Sequence, residues 1–149
     1  YGGYSSGYSK NTKLWGLTSE GDTSIYHWVA MNYSDYMVPA AGEITSFKTK
    51  AYQNYASSDI SLKLFRIRQT GTETDHSTDA ATCAFIGKID YTANADTTTV
   101  HWDLETCGSL DGSAKVLAEG DLLMLTVWRE SGTDANYWYI RHMIEITYD

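Results

Sequence analysis

Residues 137–148 read YWYIRHMIEITY, and the reading of this stretch decides the fold class. Trp138, Ile140, His142, Ile144 and Ile146 fall on one side of a two-fold alternation, and Tyr137, Tyr139, Arg141, Glu145 and Thr147 fall on the other. A period of two belongs to a β-strand, whose successive side chains point to opposite faces. Working back up the chain, the same period recurs. SIYHWVAMNY (24–33) sets Ile25, His27, Val29, Met31 and Tyr33 against Tyr26, Trp28 and Ala30. CAFIGKIDY (83–91) sets Cys83, Phe85, Gly87, Ile89 and Tyr91 against Ala84, Ile86, Lys88 and Asp90. TTVHWDLE (98–105) sets Val100, Trp102 and Leu104 against Thr99, His101 and Asp103.

Four further runs complete the pattern. EITSFKTKAY (43–52) is a mostly polar strand carrying Ile44 and Phe47. ISLKLFRIR (60–68) keeps Ile60, Leu62 and Leu64 in phase and then switches to Phe65 and Ile67, which predicts a bulge, one extra residue inserted in that strand. DLLMLTVWRE (121–130) is apolar on both faces, as a strand between two layers would be. KLWGLTS (13–19) makes a weaker first strand around Leu14, Trp15 and Leu17. The intervening stretches SEGD, YASSD, QTGTETDHSTDAA, TANAD, CGSLDGSA and ESGTDAN are rich in Gly, Ser, Thr, Asn and Asp, the residues of turns. A helical period is not sustained anywhere; GSAKVLAEGD (112–121) has room for a single turn. The single proline, Pro39, falls between strands. The expectation is an all-β, jelly-roll-like β-sandwich of about eight antiparallel strands, occupying residues 13–149 as one domain behind a flexible arm, residues 1–12.

The 149 residues suffice for one core that buries roughly 70% of the unfolded surface. Eleven Lys and Arg against nineteen Asp and Glu give a net charge of −8, which repels a phosphate backbone and argues against nucleic acid. The best basic cluster is Lys63, Arg66 and Arg68. No apolar run approaches the roughly 18 residues of a membrane span, and no leader-type apolar segment opens the chain. A chain that opens on Tyr1 implies either trimming or a start partway along a longer polypeptide, and both readings stand.

Candidate chemistry is sparse. Cys83 and Cys107 are the only cysteines; reduced, half-buried thiols are the first expectation and a single disulfide between neighbouring strands the second. His27, His101 and His142 lie in strand-like runs. Were His27 and His142 on paired strands, a metal would look to Asp103 or Glu145 for a further ligand at about 2 Å. Glu73, Asp75 and Asp79 form an acidic loop without the spacing of an EF-hand. No G-x-S-x-G elbow, C-x-x-C or H-E-x-x-H is present, so no catalytic residue, cofactor or metal is assigned and the expectation is a protein without enzymatic activity. A small secreted β-sandwich hydrolase is the minor alternative.

Twelve Tyr and five Trp are the conspicuous surplus. Rings with an apolar body and a polar tip suit wet interfaces, and Tyr26, Trp28, Tyr137 and Tyr139 alternate away from the expected core faces. The opening YGGYSSGYSKN adds Tyr1, Tyr4 and Tyr8 on a Gly/Ser backbone, an arm expected to order on a partner. These seven residues are the candidate interface. Protein–protein burial is the favoured use, with glycan stacking as the alternative.

The C-terminal run SLDGSAKVLAEGDLLMLTVWRESGTDANYWYIRHMIEITY (109–148) places a Gly-Asp pair directly before an apolar strand, with EGDLL (119–123) its sharpest part. This resembles the end of trimeric jelly-roll domains of the tumour-necrosis-factor and complement-head type, and is similar to head-decoration and fibre-tip domains of tailed bacteriophages. The resemblance implies a sandwich that forms trimers. Together with the adhesive arm and the ring surplus it implies a capsid decoration or cement protein, bound to a major capsid or other virion protein at the virion surface. The alternative is a receptor- or carbohydrate-binding fibre or spike tip.

Overall fold

In residues 60–65, ISLKLF, every side chain is buried, Ser61 and Lys63 included. A strand buried on both faces must lie inside its sheet, and this one does. The computed structural model describes residues 19–26, 34, 36–53, 59–69, 80–92, 100–101, 104–129 and 138–149. Their strands are β1 (Ser24–Tyr26), β2 (Tyr36–Met37), β3 (Gly42–Gln53), β4 (Ile60–Arg68), β5 (Ala80–Tyr91), β6 (Val100–His101), β7 (Glu105–Thr106), β8 (Val116–Leu117), β9 (Leu122–Arg129) and β10 (Trp138–Tyr148). No helix occurs among the described residues.

One five-stranded sheet runs β1-β5-β4-β9-β2; the second runs β10-β3-β6, with β7 and β8 also pairing along β3. All pairings are antiparallel. From β2 onward the chain changes sheet between successive strands, except at β4–β5 and along the short β6–β8 series. That alternation is the jelly-roll order, so the expected all-β sandwich is the observed fold. The space between the sheets is filled by Val38, Ile44, Phe47, Ala51, Ile60, Leu62, Leu64, Ile86, Ile89, Tyr91, Leu123, Val127 and Ile140. Tyr91 Oη donates to Thr49 O at 2.8 Å and meets Thr49 Oγ1 at 2.7 Å, a buried polar tie between β5 and β3.

Two register shifts explain where the apolar pattern breaks. In β3, Glu145 pairs with Ser46 and Ile146 with Ile44, so Thr45 is passed over. The extra residue lets Ile44 and Phe47, three positions apart, both point into the core. The second shift corrects the bulge expected in β4. That strand keeps unbroken register with β9 from Ile60↔Arg129 to Ile67↔Leu122. Against β5, Leu64 pairs with Gly87 and Phe65 with Phe85, so the passed-over residue is Ile86, in β5. Ala84 and Ile86 therefore share the inter-sheet core with Ile89 and Tyr91, and the uninterrupted Cys83-to-Tyr91 face does not exist.

The apolar switch within β4 has a different cause. Phe65 and Ile67 stay on the outer face, where they join Ile25, Ala81, Cys83 and Met124 in a second buried cluster, with Phe85 edge-on to Phe65 at 5.7 Å between ring centroids. The first sheet is thus buried on both faces around Phe65, although Lys88 and Asp90 stay exposed, and β9 supplies both faces: Leu123, Leu125 and Val127 inward, Leu122 and Met124 outward. Leu104, expected to face the core, is 57% exposed between β6 and β7.

At Gly87 the bulge brings the 107–110 segment against β5. A Cβ there would sit 2.7 Å from Cys107 Sγ and 3.1 Å from Ser109 O, closer than real Cβ contacts allow. Gly112 has nothing within 4 Å of its Cβ position. Gly87→Ala is therefore expected to destabilise the fold by about 1–3 kcal/mol as an overpacking change, with Gly112→Ala close to neutral. Urea unfolding midpoints check the pair, and equal midpoints would refute the close approach.

Candidate functional site

The EGDLL signature is the place to begin, because its geometry separates structural from functional residues. Gly120 has φ 85°, a conformation that glycine adopts without steric penalty. Asp121 N donates back to Ala118 O at 3.1 Å, closing a four-residue turn. Ala118 N donates to Asp121 Oδ2 at 2.7 Å, so the carboxylate clasps the same turn from inside. Two Arg68 groups complete the arrangement: Nε donates to Oδ1 at 2.7 Å and Nη2 to Oδ2 at 2.6 Å. Asp121 is 2% exposed and Arg68 37%. The turn is further bound to the residue after β2, through Gly120 N to Val38 O and Val38 N to Asp121 O, both at 2.8 Å.

Arg66 lies on the same face of β4 as Arg68. Its Nη1 donates to Ser113 O at 3.1 Å and Val116 O at 2.6 Å. Burial, with Arg68 beside it, lowers its pKa. Asp111 opens a turn at 112–115, within the 112–121 stretch expected to hold one, its Oδ1 accepting from Ala114 N at 2.9 Å and Ser113 N at 3.0 Å. Those donors hold its carboxyl below the usual range. Lys63 faces the other side of β4, so the expected basic cluster is divided between two faces and used internally.

A second group of partly covered and exposed apolar residues lies along β10. That strand pairs with β3 over all of its 11 residues; among the described residues its other edge carries no strand. On the inner face Ile140 is buried, while His142, Ile144 and Ile146 are only partly covered. On the outer face Arg141, Met143, Glu145 and Thr147 are exposed. Met143 is 37% and Tyr148 42% exposed, and Tyr148 Oη meets Tyr36 Oη at 2.9 Å, bridging the margins of the two sheets. Lys48 Nζ reaches Glu145 Oε1 at 3.3 Å across the β3–β10 pair.

Of the residues considered for a metal, His27 lies outside the described residues. Glu145 projects from the face opposite His142. His101 closes β6, while Asp103, Glu73, Asp75 and Asp79 lie outside the described residues. Among the described residues no group of three His, Cys, Asp or Glu is placed to hold a metal. Both cysteines are free. Cys83 belongs to the outer cluster, Cys107 packs toward the inter-sheet core, and burial pushes the Cys83 thiol up to about 11.

Of the seven expected interface residues, Tyr1, Tyr4, Tyr8, Trp28 and Tyr137 lie outside the described residues. Tyr26 ends β1 opposite Ala80, and Tyr139 stands near the start of β10 opposite Tyr52. The two backbone positions are in different sheets. The residues that sequence reasoning passed over are Met143, Tyr148, Met37 and Val116. Met143 was legible, since it alternates in phase with Arg141 and Glu145. Scans against protein-family models, curated proteins and solved structures return no match.

Two measurements test this reading. Asp121→Asn keeps an acceptor for Ala118 N but removes the charge that Arg68 clasps. It should cost about 2 kcal/mol, on the low side for a buried pair because Arg68 remains partly open to water; an unchanged urea midpoint would assign the turn to Gly120 alone. His142 gives the second. Its Nδ1 is buried without a hydrogen-bond partner, and burial lowers its pKa. The unfolded chain, protonating near the ordinary value of about 6.5, then binds the extra proton. Its neutral form contributes full stability above that pH, and the contribution is lost as pH falls through about 6.5 toward the depressed folded value. His142→Leu should flatten the fall in stability between about pH 7 and pH 5; an unchanged slope would place the acid sensitivity on other groups.

Proposed function

We propose that this chain is a non-enzymatic structural protein of a virion, a decoration or cement module that reinforces a shell by covering protein surface. The observation that carries the reading is the β10 margin of the second sheet. It combines a half-covered row of His142, Ile144 and Ile146 with exposed Met143 and Tyr148. The long pairing of β10 with β3 holds those side chains in one row. Exposed apolar groups beside a partly covered row offer a protein partner area to bury.

The work done would be burial. Apolar contact contributes about 25 cal/mol per Å² before the costs of association. Tyrosines of the N-terminal arm would add anchors on a neighbouring surface. Three copies is the number that the C-terminal resemblance implies, and light scattering reads the copy number directly.

Gold-labelled antibody against the chain, imaged on particles from the source of the sequence, tests the proposal. Label spread over the shell is the expected result. Label confined to fibre or spike tips would replace it with a receptor- or glycan-binding tip, and particles without label would overturn it.

A further inference from the structure

We propose that Tyr36 and Tyr148 are the site of an oxidative cross-link, a carbon–carbon bond between their rings that ties the two sheets together within one chain. Their hydroxyls meet at 2.9 Å although the residues stand 112 positions apart. Tyr36 belongs to β2 of the first sheet and Tyr148 to β10 of the second. Both backbones are fixed close to the rings. Tyr36 and Met37 pair with Leu123 and Leu122, and Val38 exchanges hydrogen bonds with the Gly120–Asp121 turn, each at 2.8 Å. Tyr148 pairs with Gly42, and Asp149 N donates to Ala41 O at 3.1 Å. A Cβ on Gly42 would lie 3.0 Å from Tyr148 Cα, so glycine is what lets the strands come this close. Tyr36 packs against the inter-sheet core, whereas Tyr148 is 42% exposed and open to a soluble oxidant.

Phenols couple through the ring carbon ortho to the hydroxyl. A one-electron oxidant, a peroxidase charged by hydrogen peroxide, takes one electron from each phenol, and each O–H proton goes to water. The two phenoxyl radicals join, forming one bond between a Cε atom of Tyr36 and a Cε atom of Tyr148. The hydrogens on those two carbons then move to the oxygens and restore both aromatic rings. One peroxide, with the two electrons and two protons released, becomes two waters. The product keeps its hydroxyls side by side, where they share a hydrogen bond, and that is the contact already present between Tyr36 and Tyr148. The folded chain thus holds the pair close to the arrangement of the product, and such proximity favours a step within one chain over a collision between chains. Tyr91, by contrast, is 3% exposed and gives its hydroxyl to Thr49. The bond staples the margins of the two sheets, and it needs neither a second copy nor a particle.

Peroxidase and hydrogen peroxide, added to the dilute full chain, test the site. Blue dityrosine fluorescence should appear on the one-chain band of a denaturing gel. Trypsin cuts after Arg141 and releases residues 142–149, in which Tyr148 is the single tyrosine. Mass spectrometry of that band should find this peptide joined to residues 14–48, two hydrogens lighter than the sum of the two, with the link at Tyr36. Tyr36→Phe keeps the ring and removes the hydroxyl, and it should lower the yield of Tyr148-linked peptide about tenfold or more; circular dichroism checks that the variant folds. Unfolding wild type in urea before the oxidant is added should lower the yield as far, which keeps the test decisive if the variant folds poorly. Folded wild type without the joined peptide, Tyr148 linked to a different tyrosine, or a link found only in bands of two or more chains overturns the proposal. So does a yield that survives in folded Tyr36→Phe or in urea. None of these outcomes bears on where antibody labels a particle.

Discussion

β4 is paired on both sides and covered on both faces, and this double confinement governs what its neighbours can do. A strand so placed has no freedom to bulge, because any extra residue would break two ladders at once. The misfit is taken up by β5, at Ile86 and Gly87, where β4 is the one paired neighbour among the described residues, since β1 meets β5 only at Ala80–Thr82. The bulge then moves Ile86 inward and brings the 107–110 segment within contact of Gly87, which is why a side chain cannot stand there. Confinement also decides the chemistry of the polar residues. Ser61 donates to Asp90 Oδ1 at 2.7 Å, and Thr126 donates to Lys63 O at 3.3 Å. Buried polar atoms without such partners carry the full cost of desolvation.

The same strand makes the Gly-Asp turn intelligible. β4 keeps strict alternation to its end, so Arg66 and Arg68 follow Ile60, Leu62 and Leu64 onto the inner face. Guanidinium groups pointing between two sheets need acceptors at the rim. Asp121 supplies a two-point acceptor for Arg68, and the carbonyls of Ser113 and Val116 serve Arg66. The turn at Gly120 is what delivers Asp121 to that position while leaving Leu122 and Leu123 to start β9. A signature that looks like a family mark is, physically, the clasp that closes one end of the sandwich. The same clasp relieves Arg68, which strand geometry forces inward, while Arg66 keeps a buried Nε without a hydrogen-bond partner.

Much of the architecture was legible in the sequence, and the failures share one cause. β10 and β9 could be read directly, because one alternates cleanly and the other is apolar on both faces. β5 could not, because Cys83 and Phe85 are apolar too and pack on the outer cluster; composition gives no hint that the phase changes at Ile86. For β4 the opposite happened. A change in which face is apolar imitated a bulge, although the backbone runs straight. Alternation reports burial, not backbone phase, and a sheet with two buried faces uncouples them. The candidate interface was less legible. Phase alone singles out Tyr26 and Tyr139, whose backbones lie in different sheets, while Met143, exposed on β10, is chemically ordinary beside Arg141 and Glu145.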